Sequence, residues 1–215
     1  AQDAVLPGVR LTVRDLQTGT FRQTTSNEDG TYFVGGLAPG TYEIRALLPG
    51  FKPYAQPGLQ LEVGRTTTVN VTLELGSLDE SVTVEAGTPM LDTTSKELGG
   101  HITSRELVEL PSINRSFVGF ISLLPGIVPI PSEAFGADAV SVNGIDPRSN
   151  NYMVDGANNN DDFIGQRAGT QARTPIEAIQ EFQVLTHQYD AEFGRATGAV
   201  VNAVTKHGTN AFHGS

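Results

Sequence analysis

The sequence predicts a β-rich chain of two domains, an Ig-like β-sandwich followed by a domain of mixed α/β character. Three observations predict it. Turn-forming residues recur at short intervals through residues 9–75, the intervals alternate apolar and polar side chains, and after Pro89 the pattern changes to one that admits short helices. The 24 Gly and 12 Pro, set against only 18% charged residues, favour many short strands over long helices. A chain of 215 residues can hold two domains of about 75–150 residues, each large enough for its own core.

In the first domain, Leu11, Val13 and Phe21 open the strand pattern. Strands are expected at Thr31–Val34, Thr41–Leu47, Leu59–Val63 and Thr67–Leu75, separated by Glu28-Asp29-Gly30, Ala38-Pro39-Gly40, Leu48-Pro49-Gly50 and Gln56-Pro57-Gly58. Gly after Pro or Asp supplies the positive φ that such turns require. In Tyr42-Glu43-Ile44-Arg45-Ala46 the even positions form one apolar face, and in Thr67–Leu75 the odd positions do.

The segment Leu78–Gly87 is acidic around an alternating Ser81-Val82-Thr83-Val84 core and reads as a strand or an extended linker. Beyond Pro89, Ser104–Leu110 reads as a short helix with a Thr or Ser cap, stopped by Pro111. Arg115–Leu124 places Phe117, Phe120, Ile121 and Leu124 on one helical stripe, which belongs in a core, and Pro125-Gly126 ends it. Short strands are expected at Ala139–Val142 and Tyr152–Val154, the second ending in Asp155-Gly156. Thr174–Ile179 carries helix-start signals, and strands are expected at Glu181–Leu185 and Val200–Thr205.

The formal net charge of −10 argues against a nucleic-acid partner, which needs Lys and Arg to replace counterions. There is no cysteine, so disulfides and thiolate metal sites are excluded. No apolar run reaches the roughly 18 residues of a spanning helix. His101, His187, His207 and His213 lack zinc-ligand spacing and read as surface residues. No nucleophile elbow, phosphate loop or dinucleotide fingerprint is present, so neither an enzyme nor an organic cofactor is expected. The richest polar cluster is Asp155, Asn158, Asn159, Asn160, Asp161 and Asp162, whose oxygens could surround a hard cation such as calcium. The spacing is not that of an EF-hand: Ala157 stands at the third position and no Glu closes the loop. A surface loop is the favoured reading.

Ala4-Val5-Leu6-Pro7-Gly8-Val9, Asn27-Glu28-Asp29-Gly30-Thr31-Tyr32, Gly36–Tyr42 and Pro49-Gly50-Phe51 together resemble a carboxypeptidase regulatory-like domain. That resemblance covers residues 1–76 and implies a transthyretin-like sandwich without a catalytic centre. Such domains usually open with a Gly-x-Val-x-Asp strand before the turn at Pro7-Gly8, and this sequence starts almost at that turn. An unpaired strand edge is therefore expected, open to strand donation by another copy.

Glu109–Phe117, Asn151–Gly156, Ile176–Val184 and Gly194–Asn202 resemble, in order, the plug of TonB-dependent receptors. The resemblance implies that residues 88–215 are a plug that fills an outer-membrane barrel of about 22 strands, that the barrel would begin near His207–Ser215 and is missing, and that the chain lies on the periplasmic side of the membrane. It also implies a capture segment, the Ton box, at Ser81, Val82, Thr83, Val84, Glu85 and Ala86 within the 77–87 linker, taken up by a TonB-like energy-transducing protein. The last strand of the first domain is an equal reading of those residues. In that family apical loops touch the ligand, which singles out the 155–162 cluster, and ionic contacts to the barrel wall would involve Arg115, Arg195 and Glu181. Two functions follow: the gating part of a receptor for a nutrient such as a glycan, siderophore or peptide, or an extracellular filament or adhesive subunit whose 199–205 tail is donated between copies.

Overall fold

The computed structural model describes residues 4–76, 82–83, 98–109, 117–130, 139–160, 174–187, 189 and 193–212. The chain divides into two compact units, residues 1–93 with 208–214, and residues 94–207 with Ser215.

The first unit is built on β1 (Arg10–Asp15), β2 (Phe21–Thr25), β3 (Gly40–Leu47), β4 (Tyr54–Leu61) and the short β5 (Val82–Thr83). They form one sheet in the order β2-β1-β3-β4-β5, antiparallel except for the last pair. The register brings Leu11 opposite Ala46 and Val13 opposite Ile44, so the buried residues of neighbouring strands stand in one row. Outward stand Arg10, Thr12 and Arg14, level with Leu47, Arg45 and Glu43.

Two of the expected strands take a different form. Thr31–Val34 and Thr67–Leu75 keep the alternation, with Tyr32, Val34, Val69, Val71 and Leu73 packed on the core, but neither is a ladder strand. A strand needs a hydrogen-bonded neighbour as well as a buried face. The second stretch meets residues 50–52 only at its end, through an isolated Phe51–Leu75 bridge and the Lys52 N–H on the Glu74 carbonyl at 2.8 Å. A side-chain bond joins the two stretches instead: the Tyr32 hydroxyl donates to the Val69 carbonyl at 2.7 Å.

The expected turn at Gln56-Pro57-Gly58 lies inside β4. Tyr42 pairs with Leu59 and Ile44 with Gln56, so two residues oppose one in a bulge, with Gly58 at φ 79°. Gly answers the same need for positive φ in a bulge as in a turn, and the sequence pattern does not separate them.

The second unit contains β6 (Leu98–Thr103), α1 (Ser104–Glu109), α2 (Phe117–Ile121), β7 (Ile127–Pro129), β8 (Val140–Val142), β9 (Asn151–Val154), β10 (Ala157–Asn158), β11 (Ile179–His187) and β12 (Val200–Thr205). Its main sheet runs β10-β9-β12-β11-β6, and only the β9–β12 pair is parallel. β12 lies at the centre, with Val200, Val201 and Ala203 fully buried. β11 is buried on both faces from Glu181 through Leu185, polar Glu181 and Gln183 included.

At α1, Glu106 accepts from the backbone N–H of Thr103 at 2.8 Å and from its hydroxyl at 2.9 Å. This is one half of a capping box, and it satisfies a donor that the helix start would leave exposed. Leu107, Phe120 and Ile121 join Ile102, Tyr152, Phe182 and Val201 in the core. The helix expected from Thr174 is reduced to a three-residue 3-10 turn, Ile176–Ala178, preceded by Pro175, because β11 already begins at Ile179.

Candidate functional site

The polar cluster begins at the β9–β10 hairpin. Asp155 and Gly156, at φ 50° and 77°, form its two-residue turn, and Val154 pairs with Ala157 across it. Asp-Gly suits such a turn because both positions need positive φ. The Asp155 carboxylate is occupied within the protein: one oxygen accepts from the Thr205 backbone N–H and the other from the Thr205 hydroxyl, both at 2.8 Å.

The asparagines are equally engaged. Asn160 accepts from the Tyr152 N–H at 2.9 Å and donates to the side-chain oxygens of Asn151 at 2.7 Å and Asn158 at 2.6 Å. The Asn158 oxygen also receives the Asn160 N–H at 2.9 Å. Asn159 is buried, its N–H on the Tyr152 carbonyl. A calcium ion needs six to eight oxygens, and here it would have to displace these bonds. Among the described residues no three His, Asp or Glu side chains gather in a metal-binding group. Asp161 and Asp162 lie outside the described residues.

Two residues absent from the sequence-based site tie the region together. Asn150 is buried; its amide donates to the Val140 carbonyl at 3.0 Å, and its oxygen accepts the Ala199 N–H at 3.0 Å. Asn151 donates to the Gly194 carbonyl at 2.9 Å. Together they join the segment around Asn151–Gly156 to the one around Gly194–Asn202, far apart in sequence and adjacent as β9 and β12. Consecutive Asn at the start of a strand was the available signal, since Asn is depleted in strands unless its side chain has work to do there.

Other expected site residues are dispersed. Of Ser81–Ala86, Val82 and Thr83 are described, pairing in parallel with Tyr54 and Ala55 as β5; Ser81, Val84, Glu85 and Ala86 lie outside the described residues. Glu181 is buried on β11, while Arg195 is exposed on a loop at φ 69°; Arg115 lies outside the described residues. His187 is exposed, whereas His101 on β6 and His207 are half-buried; His213 lies outside the described residues.

Residues 1–74 match the carboxypeptidase regulatory-like domain and residues 101–201 match the TonB-dependent receptor plug domain. The chain carries the plug domain of the TonB-dependent receptors. It is 34% identical, over its whole length, to 20% of the TonB-dependent transporter Oar of Myxococcus xanthus. It is 27% identical, over 58% of its length, to 18% of PirA of Acinetobacter baumannii, a probable TonB-dependent siderophore receptor. The chain thus spans about a fifth of the length of the curated relatives it matches. Among solved structures, the outer membrane transporter YddB of Escherichia coli aligns with 51% of this chain and 17% of its own, at 17% identity and a TM-score of 0.46.

Proposed function

We propose that this region is the non-catalytic gating part of an outer-membrane receptor for nutrient uptake. In this reading the second unit fills the receptor's own β-barrel, the first unit stands on the periplasmic side, and Ser81–Ala86 is the segment a TonB-like protein captures as an added strand. The 155–162 loop touches the transported ligand through side chains beyond those already engaged in the hairpin. What carries the reading is the order of the two matched domains along one chain, with the 77–87 segment between them.

The test is binding of the purified chain to the periplasmic C-terminal domain of a TonB protein, with and without residues 81–86. Loss of binding on deletion supports the reading. Equal affinity for both versions sinks the capture segment.

A second reading, filament assembly by strand donation, is favoured by one observation: Thr31–Val34 and Thr67–Leu75 lie extended on the core without ladder partners. Its expected donor, the 199–205 tail, is β12, paired on both edges at the centre of the second sheet. Donation would require that sheet to open. Concentration-dependent polymers in sedimentation would favour this reading over the first.

A further inference from the structure

The outer edge of β4 is occupied in one place. Val82 and Thr83 pair there in parallel with Tyr54 and Ala55, and among the described residues no strand lies beside the rest of that edge. The reason is local. Pro57 lacks an N–H and Gly58 bulges the strand, so the edge beyond Gln56 is a poor template, whereas Tyr54-Ala55 lies in the stretch paired in regular register with β3 before the bulge. Val and Thr are β-branched and suit the docked strand.

The connection is short. The chain bridges Phe51 at Leu75 and returns beside Tyr54 at Val82, so only residues 76–81 need to close. A short tether gives the docked segment a high effective concentration at this edge.

We infer that the β4 edge is an intramolecular docking rail for the Val82–Thr83 segment, and that the sandwich competes there with the TonB-like partner for the capture segment. The inference rests on the capture reading proposed above. A strand paired to β4 offers one free edge. Strand addition draws affinity from backbone bonds and specificity from alternate side chains, so a partner has less of the docked segment to grip. A two-residue ladder is short enough to exchange, which makes the sandwich a regulator of capture rather than a permanent block.

The absence of cysteine permits a direct test. Ala55→Cys with Thr83→Cys places two thiols at paired positions, where adjacent strands bring Cα atoms within disulfide reach. Gln60→Cys with Thr83→Cys, far along the same strand, is the control. On mild oxidation the first pair should cross-link and the control should not; the opposite result overturns the docking. The cross-linked chain should then bind the C-terminal domain of TonB at least about tenfold more weakly than the same chain reduced. Equal affinity in the two states overturns the competition. A synthetic peptide of residues 78–87 is measured in parallel. If it does not bind TonB, the capture reading fails and the competition with it, while docking is still judged by the cross-link.

Discussion

Asp155 and Thr205 are joined by two hydrogen bonds, from the Thr205 N–H and hydroxyl to the two carboxylate oxygens, across fifty residues of sequence. The bond pair fixes the tip of the β9–β10 hairpin to the end of the central strand. Asp155 also tolerates φ 50°, a backbone conformation Asp and Asn adopt more readily than Ala.

Asp155→Ala should therefore cost about 1–3 kcal/mol of stability, combining lost charge-assisted bonds with left-handed backbone strain. Asp155→Asn, which keeps one acceptor and the backbone tolerance, should cost less. Urea denaturation of the chain measures both. An Asn variant as unstable as the Ala variant would show that the backbone and the neutral acceptor contribute nothing.

The engaged oxygens of Asp155, Asn158 and Asn160 lead to an expectation about metal. Adding millimolar calcium, or removing it with a chelator, should leave Tm unchanged, because a ligand stabilises only by binding the folded state. A calcium-dependent rise in Tm that Asp155→Asn abolishes would mean that the carboxylate leaves Thr205 for the ion.

Much of this fold is legible in the sequence where one face of a strand meets the core. Tyr42, Ile44 and Ala46 are buried at alternate positions of β3, as their spacing indicates. At Thr67–Leu75 the same periodicity marks Val69, Val71 and Leu73 as inward, while Leu75, expected on that face, is exposed; the periodicity carries no information about a hydrogen-bonded neighbour, and the ladder is absent. β11 extends from Ile179 to His187, beyond the expected Glu181–Leu185, because burial on both faces blurs the alternation that would mark its ends. The loop composition pointed to Asp155 and Asn158–Asn160, yet Asn150 escaped. Its partner Ala199 is 49 residues away, so the consecutive Asn150-Asn151 could mark the residue but not the group it reaches.

The Tyr32 hydroxyl supplies a pH expectation. Burial, with Tyr54 nearby, pushes its pKa from 10.0 up to about 12. Below pH 10 the phenol is protonated in both folded and unfolded chains. Between pH 10 and about 12 the unfolded chain releases its proton while the folded one retains it, so this contribution to stability is lost as pH rises through that window. Ultraviolet titration of tyrosinate should show a late step that Tyr32→Phe removes. A Tyr32 that ionises near pH 10, the ordinary value of a phenol, would contradict its burial and the bond to Val69.

Gly198 and Asn150 should behave as one unit. A Cβ on Gly198 would fall against the Asn150 side-chain oxygen, the atom that accepts the Ala199 N–H. Gly198→Ala must displace that oxygen and break the bond, at about 2–4 kcal/mol for strain together with an unsatisfied buried donor. Asn150→Ala removes the bonds to both Ala199 and Val140 and should cost a similar amount. In the Asn150→Ala background the added methyl at 198 finds space where the amide stood, so the second substitution should then cost much less. A double-mutant cycle by urea denaturation reads this as a coupling of about 1–3 kcal/mol. Additive losses would show that the glycine is required for another reason and that the Asn150 bridge does not depend on it.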